Sequence, residues 1–381
     1  MTPSTYDVIV VGARCAGAAT AMLMARQGAR VLLIDSARRG SDTMSTHALM
    51  RGAVMLLQRW GLAEELRAAG TPQVRRTSFL YGRAAFDIDI KPEHGVEALM
   101  APRRYLLDAA LAAAAERAGA VVRFETSCAG LLRDASGRVC GARLAGKDGA
   151  AQDVSAGLVI GADGKRSRVA RLAGAEVTRQ AHSTVACAYQ YVTGLPQDGY
   201  RWHFEEGAAG GLIPTNGDGT CAFLALPQSR AAELRQSALP ELAATSLPQL
   251  AEDTAGARAA EAPVVFAGLP GYFRRCAGPG WALVGDASWF RDPITAHGIT
   301  DAFRDAELLA GAVMAGGLDR YEAQRDALSG PIFEISDRIA SFEWSLAELA
   351  DLHKQLNRDM KANQAWIAEG AARQPLQCRV A

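Results

Sequence analysis

Several features are scarce in this chain, and each scarcity removes a class of function. There are seven cysteines, none in a C-x-x-C pair, and the number is odd. That excludes a disulfide framework and a zinc ribbon, and it reads as reduced, buried thiols in a cytoplasmic protein. Six histidines contain no H-x-x-x-H pair, so no metal site is expected. Neither sign of charge is in excess, with 41 basic and 41 acidic residues. No basic stripe is interleaved with aromatics, so nucleic acid is not an expected partner. No apolar run approaches the roughly 18 residues of a membrane span. An apolar strand begins too early for a signal peptide to precede it. Internal repeats and low-complexity linkers are missing as well. With 381 residues, the chain exceeds one ordinary domain, and two interleaved domains are the expectation.

What is present begins at once. Val8 to Val11 are an apolar strand, Gly12 to Gly17 a tight turn, Ala18 to Gln27 helix formers, and Val31 to Ile34 a second apolar strand closed by Asp35. This is the pattern of a dinucleotide fingerprint. A glycine turn lets backbone approach a pyrophosphate, a helix N-terminus supplies donors, and a late acid meets a ribose hydroxyl. Asp35 follows Gly12 by 23 residues, near the expected spacing of about 20. Taken alone, the unit fits NAD and FAD equally.

Further along, residues 49–69 read as a helix with Leu56, Leu57 and Trp60 on one side, ended by Gly70 to Pro72. Phe79 to Tyr81 and Ala84 to Ile90 alternate around Gly82-Arg83 as a hairpin. Residues 102–118 read as an amphipathic helix. Val121 to Glu125, Val139 to Leu144 and Gly157 to Gly161 read as strands. Antiparallel strands are expected over 185–192, 200–204, 211–213 and 221–226, then helix over 231–253 and a strand over 263–266. From Thr300 onward the pattern is helical, with breaks expected near Gly316 and Gly330-Pro331.

Two more strand-to-turn motifs follow the first. A buried strand over 157–161 runs into Ala162-Asp163-Gly164, with Ser167 and a helical stretch after it. Residues 281–284 run into Gly285-Asp286-Ala287, and beyond Pro293 a helix starts near Gly298. An acid at a strand end can bond sugar or ribityl hydroxyls. A helix start offers free N–H groups and a positive dipole end.

With these three motifs in order over residues 7 to about 310, the chain resembles the FAD-dependent monooxygenases of the aromatic-hydroxylase superfamily. The fold this implies is α/β (α+β overall): a Rossmann-like FAD-binding domain interleaved with an antiparallel-sheet substrate domain, plus a helical C-terminus. The boundaries implied are 1–75, 98–180 and 275–340 for FAD, 76–97 and 181–274 for substrate, and 341–381 for the C-terminal segment. The resemblance assigns the ADP part of FAD to the turn of Gly12, Arg14, Cys15, Ala16 and Gly17 and to Asp35. It puts Asp163 and Gly164 near the pyrophosphate and Gly285 and Asp286 at the ribityl chain. Pro293, Gly298, Ile299 and Thr300 fall at the flavin edge, and Arg104 matches an arginine that meets the FAD phosphates or ribityl chain.

The chain departs from that pattern in three places. Arg14 stands where a glycine is usual, Trp289 where many relatives carry histidine, and Thr300 where asparagine is common. Arg14 is a phosphate ligand or a solvated helix-start arginine; Arg38 and Arg39 read as a solvated pair. His47, in the stretch that runs near the isoalloxazine, is a candidate for placing substrate or moving a proton, or else a capping-region histidine. His297, before Gly298, is a candidate for stabilising reduced flavin in its charged form, or else a loop histidine. Tyr189, Tyr191, Trp202, Phe204 and Phe223, with Trp289, are the candidate walls of the substrate pocket, though each singly reads as core.

The function the resemblance implies is oxygenation of a small aromatic or hydrophobic molecule by NAD(P)H and O₂ through a flavin C4a-hydroperoxide. NAD(P)H would bind transiently, or a separate flavin reductase would supply electrons. Two relatives of that chemistry remain open. One is a geranylgeranyl-reductase-like enzyme. The other is a flavin-dependent halogenase, although its W-x-W-x-I-P signature is missing. After about residue 340, Phe342, Trp344, Leu346, Leu349 and Leu352 recur at helical spacing and read as core packing or as a homodimer contact.

Overall fold

A computed structural model describes residues 5–147 and 149–373. Residues 374–381 of the expected C-terminal segment, Cys378 among them, lie outside the described residues. The architecture is α/β, with a mixed sheet that is parallel at its middle, a largely antiparallel sheet, a small three-stranded sheet and a helical C-terminal part.

Parallel strands form the middle of the first sheet, in the order Trp281–Leu283, Ala151–Gly161, Thr5–Val11, Val31–Ile34 and Val121–Arg123. Val8 to Val11 are all buried, as expected of a strand covered on both faces. Helix Cys15–Arg26 packs against helices Arg104–Arg117 and Gly298–Met314. Its Ala18, Ala19 and Ala21 are fully buried, and small side chains let packed elements approach closely. This packing aims the N-termini of Cys15–Arg26 and Gly298–Met314 into one region, next to the ends of Thr5–Val11 and Trp281–Leu283.

The second sheet runs Arg258–Ala259, Val185–Thr193, Gly219–Pro227, Ala208–Pro214, Tyr200–Glu205, Arg76–Tyr81 and Ala84–Asp89. Its neighbours are antiparallel except for Tyr200–Glu205 beside Arg76–Tyr81. The expected hairpin forms, with Phe79 opposite Phe86. Segments distant in sequence thus share one sheet.

The structure departs from expectation in several places. The helix expected over 49–69 is two, Arg51–Trp60 and Ala63–Ala68, because Gly61 takes a left-handed φ of 79°. The stretch 231–253 forms Glu233–Gln236, Leu239–Ser246 and Pro248–Asp253; Pro240 and Pro248 each open a new first turn. Helix Leu318–Ala340 runs through Gly330-Pro331, and the break falls instead where Phe342 has φ 56°. Strand Ala151–Gly161 is longer than foreseen, and Thr126–Arg133 was not foreseen at all. It forms a hairpin with Val139–Gly146 that extends the first sheet.

Helix Leu346–Arg373 packs on Leu318–Ala340 and on Arg51–Trp60. No helix among the described residues is long and apolar enough to cross a membrane.

Candidate functional site

A cavity of about 730 Å³ opens where the strand ends, the two helix N-termini and the second sheet meet. From the first motif it is lined by Gly12, Arg14, Cys15, Ala16 and Asp35, and from the others by Asp163, Gly164, Gly285, Asp286, Pro293, Gly298 and Ile299. Arg104 joins them. Three motifs far apart in the chain therefore share one space.

The first turn is built for close approach. Gly12 has φ 105°, and a Cβ there would fall 2.4 Å from the carbonyl oxygen of Ala162. Gly17 does not line the cavity; a Cβ on it would fall 1.8 Å from the carbonyl oxygen of Gly12. It therefore acts by packing, letting the helix sit against the turn. Asp35 faces the cavity and also ties the turn, accepting from the backbone N–H of Ala13 and of Ala37, each at 2.7 Å. Arg14 is the residue before the first helical turn, and its guanidinium donates to Thr43 Oγ1. It lines the cavity while fastened to the segment that follows Asp35.

Asp163 caps helix Arg168–Ala173. One oxygen accepts from Ser167 Oγ at 2.5 Å, the other from the N–H groups of Arg168 and Val169 at 2.7 and 3.1 Å. Arg104 is held by both carboxylate oxygens of Asp108, at 3.1 and 3.0 Å. Cys15 Sγ donates to the same carboxylate at 3.2 Å, and burial pushes its thiol up, so it is a packed donor rather than a nucleophile.

Asp286 differs from these acids. Its carboxylate receives no hydrogen bond from the described residues, yet it faces the cavity. Burial raises its carboxyl above the usual range, while Lys165 and Arg104 pull it back. An acceptor so placed is open to donors from a group bound in the cavity. A polyhydroxyl chain supplies them, and the bare backbone at Gly12 suits a diphosphate. The residues present fit FAD.

A family model described as FAD binding domain matches residues 5–331. The chain belongs to this FAD binding domain family. It is an FAD-dependent oxidoreductase. It is 30% identical over 322 residues to a digeranylgeranylglycerophospholipid reductase of Methanosarcina mazei, covering 80% of this chain and 74% of that one. It is 28% identical over 338 residues to a menaquinone reductase of Mycolicibacterium smegmatis, covering 83% and 78%. Among solved structures it is similar to the flavin-dependent brominase Bmp2, with a TM-score of 0.79, 20% identity, and 96% and 94% of the two chains covered. It is also similar to PqsL, a probable FAD-dependent monooxygenase from Pseudomonas aeruginosa, with a TM-score of 0.73, 19% identity, and 94% and 100% covered. These two structures share the fold of the FAD binding domain.

At the flavin-edge positions the picture is mixed. His47 lines the cavity, is 2% exposed, and takes a left-handed φ of 45°. Its Nε2 shares a 2.9 Å hydrogen bond with the Tyr191 hydroxyl. Burial, with Arg103 and Arg104 nearby, lowers it to about 3, so it is neutral. His297 is absent from the cavity wall. It turns into a second, very small cavity beside Thr300, Arg304, Met360 and Asn363. Its Nδ1 meets the carbonyl of Thr295, and burial together with Arg291 lowers it to about 4. The charged form expected of His297 is therefore not the resting one, because burial and the Arg291 charge outweigh the nearby Asp301 carboxylate. Thr300 lies in the same small cavity, against Gly52, so its side chain does not line the main one.

Of the expected pocket aromatics, Tyr189 and Trp289 line the cavity. Tyr191 lies just behind it, edge-on to Tyr189 at 5.7 Å. Trp202, Phe204 and Phe223 share a face as strand alternation predicts, but none of the three lines the cavity. They are buried with Phe342, Trp344, Leu349 and Leu352, and Phe204 meets His353 at 4.8 Å. The C-terminal helices fill the space that the strands alone would leave open.

Sequence reasoning missed Arg291, Asp292 and Asp301. Arg291 is buried at the cavity wall and donates twice to Asp301 Oδ2, at 2.9 and 2.7 Å. Asp292 accepts from Val185 N–H at 2.8 Å and Ile294 N–H at 3.0 Å. It thereby joins the flavin-edge turn to the second sheet, and burial raises it to about 6. Their only signal was their position beside Pro293 and Gly298.

Proposed function

We propose that this chain is an FAD-dependent monooxygenase acting on a small aromatic or other hydrophobic molecule, with NAD(P)H as transient reductant. The observation that carries the reading is the size of the cavity, with Tyr189 and Trp289 in its wall. At about 730 Å³ it lies in the range of single small-molecule sites, about 300–1,000 Å³. Cofactor and substrate must share it. With the aromatic face of the second sheet filled by the C-terminal helices, the remaining space suits a compact substrate.

In this reading residues 1–75, 98–180 and 275–340 hold FAD, and 76–97 and 181–274 bound the substrate. Gly12 to Gly17 and Asp35 hold the ADP part, and Asp286 accepts from the ribityl hydroxyls. The free N–H groups at Gly298 and Ile299, with the helix dipole, stabilise negative charge at the pyrimidine edge without a charged histidine. When bound, FAD accepts hydride from NAD(P)H and activates O₂. Tyr189, Trp289 and neutral His47 wall the reacting end and exclude water.

A second reading, reduction of a carbon–carbon double bond, is favoured by relatives at 28–30% identity whose names are those of reductases. Turnover with a panel of aromatic and isoprenoid compounds under ¹⁸O₂ separates the two. One labelled oxygen in the product supports oxygenation. Products that gain two hydrogens and no label establish reduction, and halogenated products formed only with added halide establish the third chemistry.

A further inference from the structure

We propose that residues 36–48 form a cover over the cavity and that Arg103 is the positioning residue that holds it shut. The proposal rests on reading the cavity as the FAD site. The segment SARRGSDTMSTHA contains no helix and no strand. From Asp42 to Ala48, no backbone group bonds to another backbone group among the described residues. Two left-handed residues bracket this stretch, Gly40 with φ 72° and His47 with φ 45°. Such a φ is disfavoured for a side-chain-bearing residue, so the contacts around His47 impose it.

Both ends are anchored. The carbonyl of Ala37 accepts from Glu125 N–H at 3.1 Å, and Leu49 N–H donates to Met100 at 2.9 Å. Between the anchors, Thr43, Met44, Ser45 and Thr46 line the cavity. Met44 is also 46% exposed. The stretch therefore separates cavity from solvent, and only side chains keep it in place.

Arg103 supplies the strongest of those ties. Its guanidinium donates to Asp42 at 2.8 Å and to both oxygens of Glu261 at 2.7 and 3.2 Å. It lies 3.6 Å from the ring centroid of Tyr191, whose hydroxyl bonds His47. One side chain thus grips the cover directly at Asp42 and indirectly at His47. Near the first anchor, Arg39 pairs with both oxygens of Glu116; along the cavity wall the other ties are single contacts, Arg14 to Thr43 and Ser45 N–H to the Tyr189 hydroxyl at 3.4 Å. Arg103 is nearly buried, whereas Asp42 and Glu261 are exposed, so the latch weakens as salt rises.

The test uses the FAD-loaded protein and reads two properties besides turnover: iodide quenching of flavin fluorescence and the rate of flavin release. In R103Q both should rise about five- to tenfold. R103K should recover only part of this, because an ammonium cannot grip both carboxylates and stack on the ring. Raising salt from about 0.05 to about 0.5 M should speed release from the wild type but not from R103Q. A purely structural role would not produce that loss of salt dependence. D42N, in the exposed cover, gives the same readout should R103Q not fold. Equal quenching and release in wild type and variants at both salts would overturn the cover. A wild-type protein that binds no flavin would overturn the reading of the cavity, and the cover with it.

Discussion

The indole N–H of Trp289 donates to Asp305 Oδ2 at 2.6 Å. Trp289 is part of the cavity wall, and Asp305 belongs to a buried ionic cluster. Arg304 donates to Asp305 Oδ1 at 3.0 and 2.6 Å, and to Asn363 of the C-terminal helix at 2.6 Å. One chain of contacts thus joins the reacting end of the cavity to the helix that fills the aromatic face. Trp289→Phe keeps an aromatic ring in place of the indole that stacks on Phe273 with centroids 5.2 Å apart, but leaves Oδ2 without its donor. The expected loss is about 1–3 kcal/mol in chemical denaturation of the apoprotein.

Arg304 is 1% exposed and faces both Asp305 and Asp301. Arg304→Met retains much of the volume but leaves buried Asp305 without its cation and Asp301 with Arg291 alone. We expect a loss of about 3–5 kcal/mol, larger than for Trp289→Phe, by the same denaturation measurement. An equal or smaller loss would mean that Arg304 does not hold the cluster together.

Acid should destabilise the protein through its buried histidines. His297 falls from its ordinary 6.5 to about 4, and His47 to about 3. In the unfolded chain both take up protons near 6.5, so between that pH and about 4 the unfolded state binds more protons. Their contribution is full above about 6.5 and is lost as pH falls through that window. Asp292, raised from 3.8 to about 6, acts with the opposite sign: its contribution is full below 3.8 and is lost as pH rises through about 6. His297→Gln should flatten the fall in stability between pH 6.5 and 4 by on the order of 3 kcal/mol. Denaturation midpoints measured across that range in both proteins check it. An unchanged slope would mean that His297 is charged in the fold.

Gly12→Ala places a methyl group 2.4 Å from the Ala162 carbonyl oxygen and forces a side chain into φ 105°. Gly28→Ala, also at positive φ but with nothing within 4 Å, is the control for backbone strain alone. Flavin content after purification should fall to near zero in Gly12→Ala and stay near wild type in Gly28→Ala.

The motifs that line the cavity were legible because each is local. A buried strand, a glycine turn and a helix start follow one another within a few residues at Gly12, Asp163 and Asp286, and local order fixes where their ends point. What the acids do there was less legible. Asp35 and Asp163 spend most of their bonding capacity on nearby backbone N–H groups, which spacing cannot reveal, while Asp286 remains free. The alternation that put Trp202 and Phe204 on one face was also readable. What covers that face was not, because Leu349 and Leu352 lie well over a hundred residues further on, and helical periodicity gives a face without naming its partner. His297 and Thr300 show the same gap: helix phase at Gly298 decides which side chains face the cavity and which face helix Leu346–Arg373.

The most direct test of the account is a titration of apoprotein with FAD, followed by the change in flavin absorbance, in wild type and in Asp286→Ala. The wild type should bind one FAD per chain. Affinity should be weakened by about tenfold or more in Asp286→Ala, from the loss of charge-assisted bonds to ribityl hydroxyls. No binding by the wild type, or equal affinity in the two proteins, would contradict the placing of FAD in this cavity.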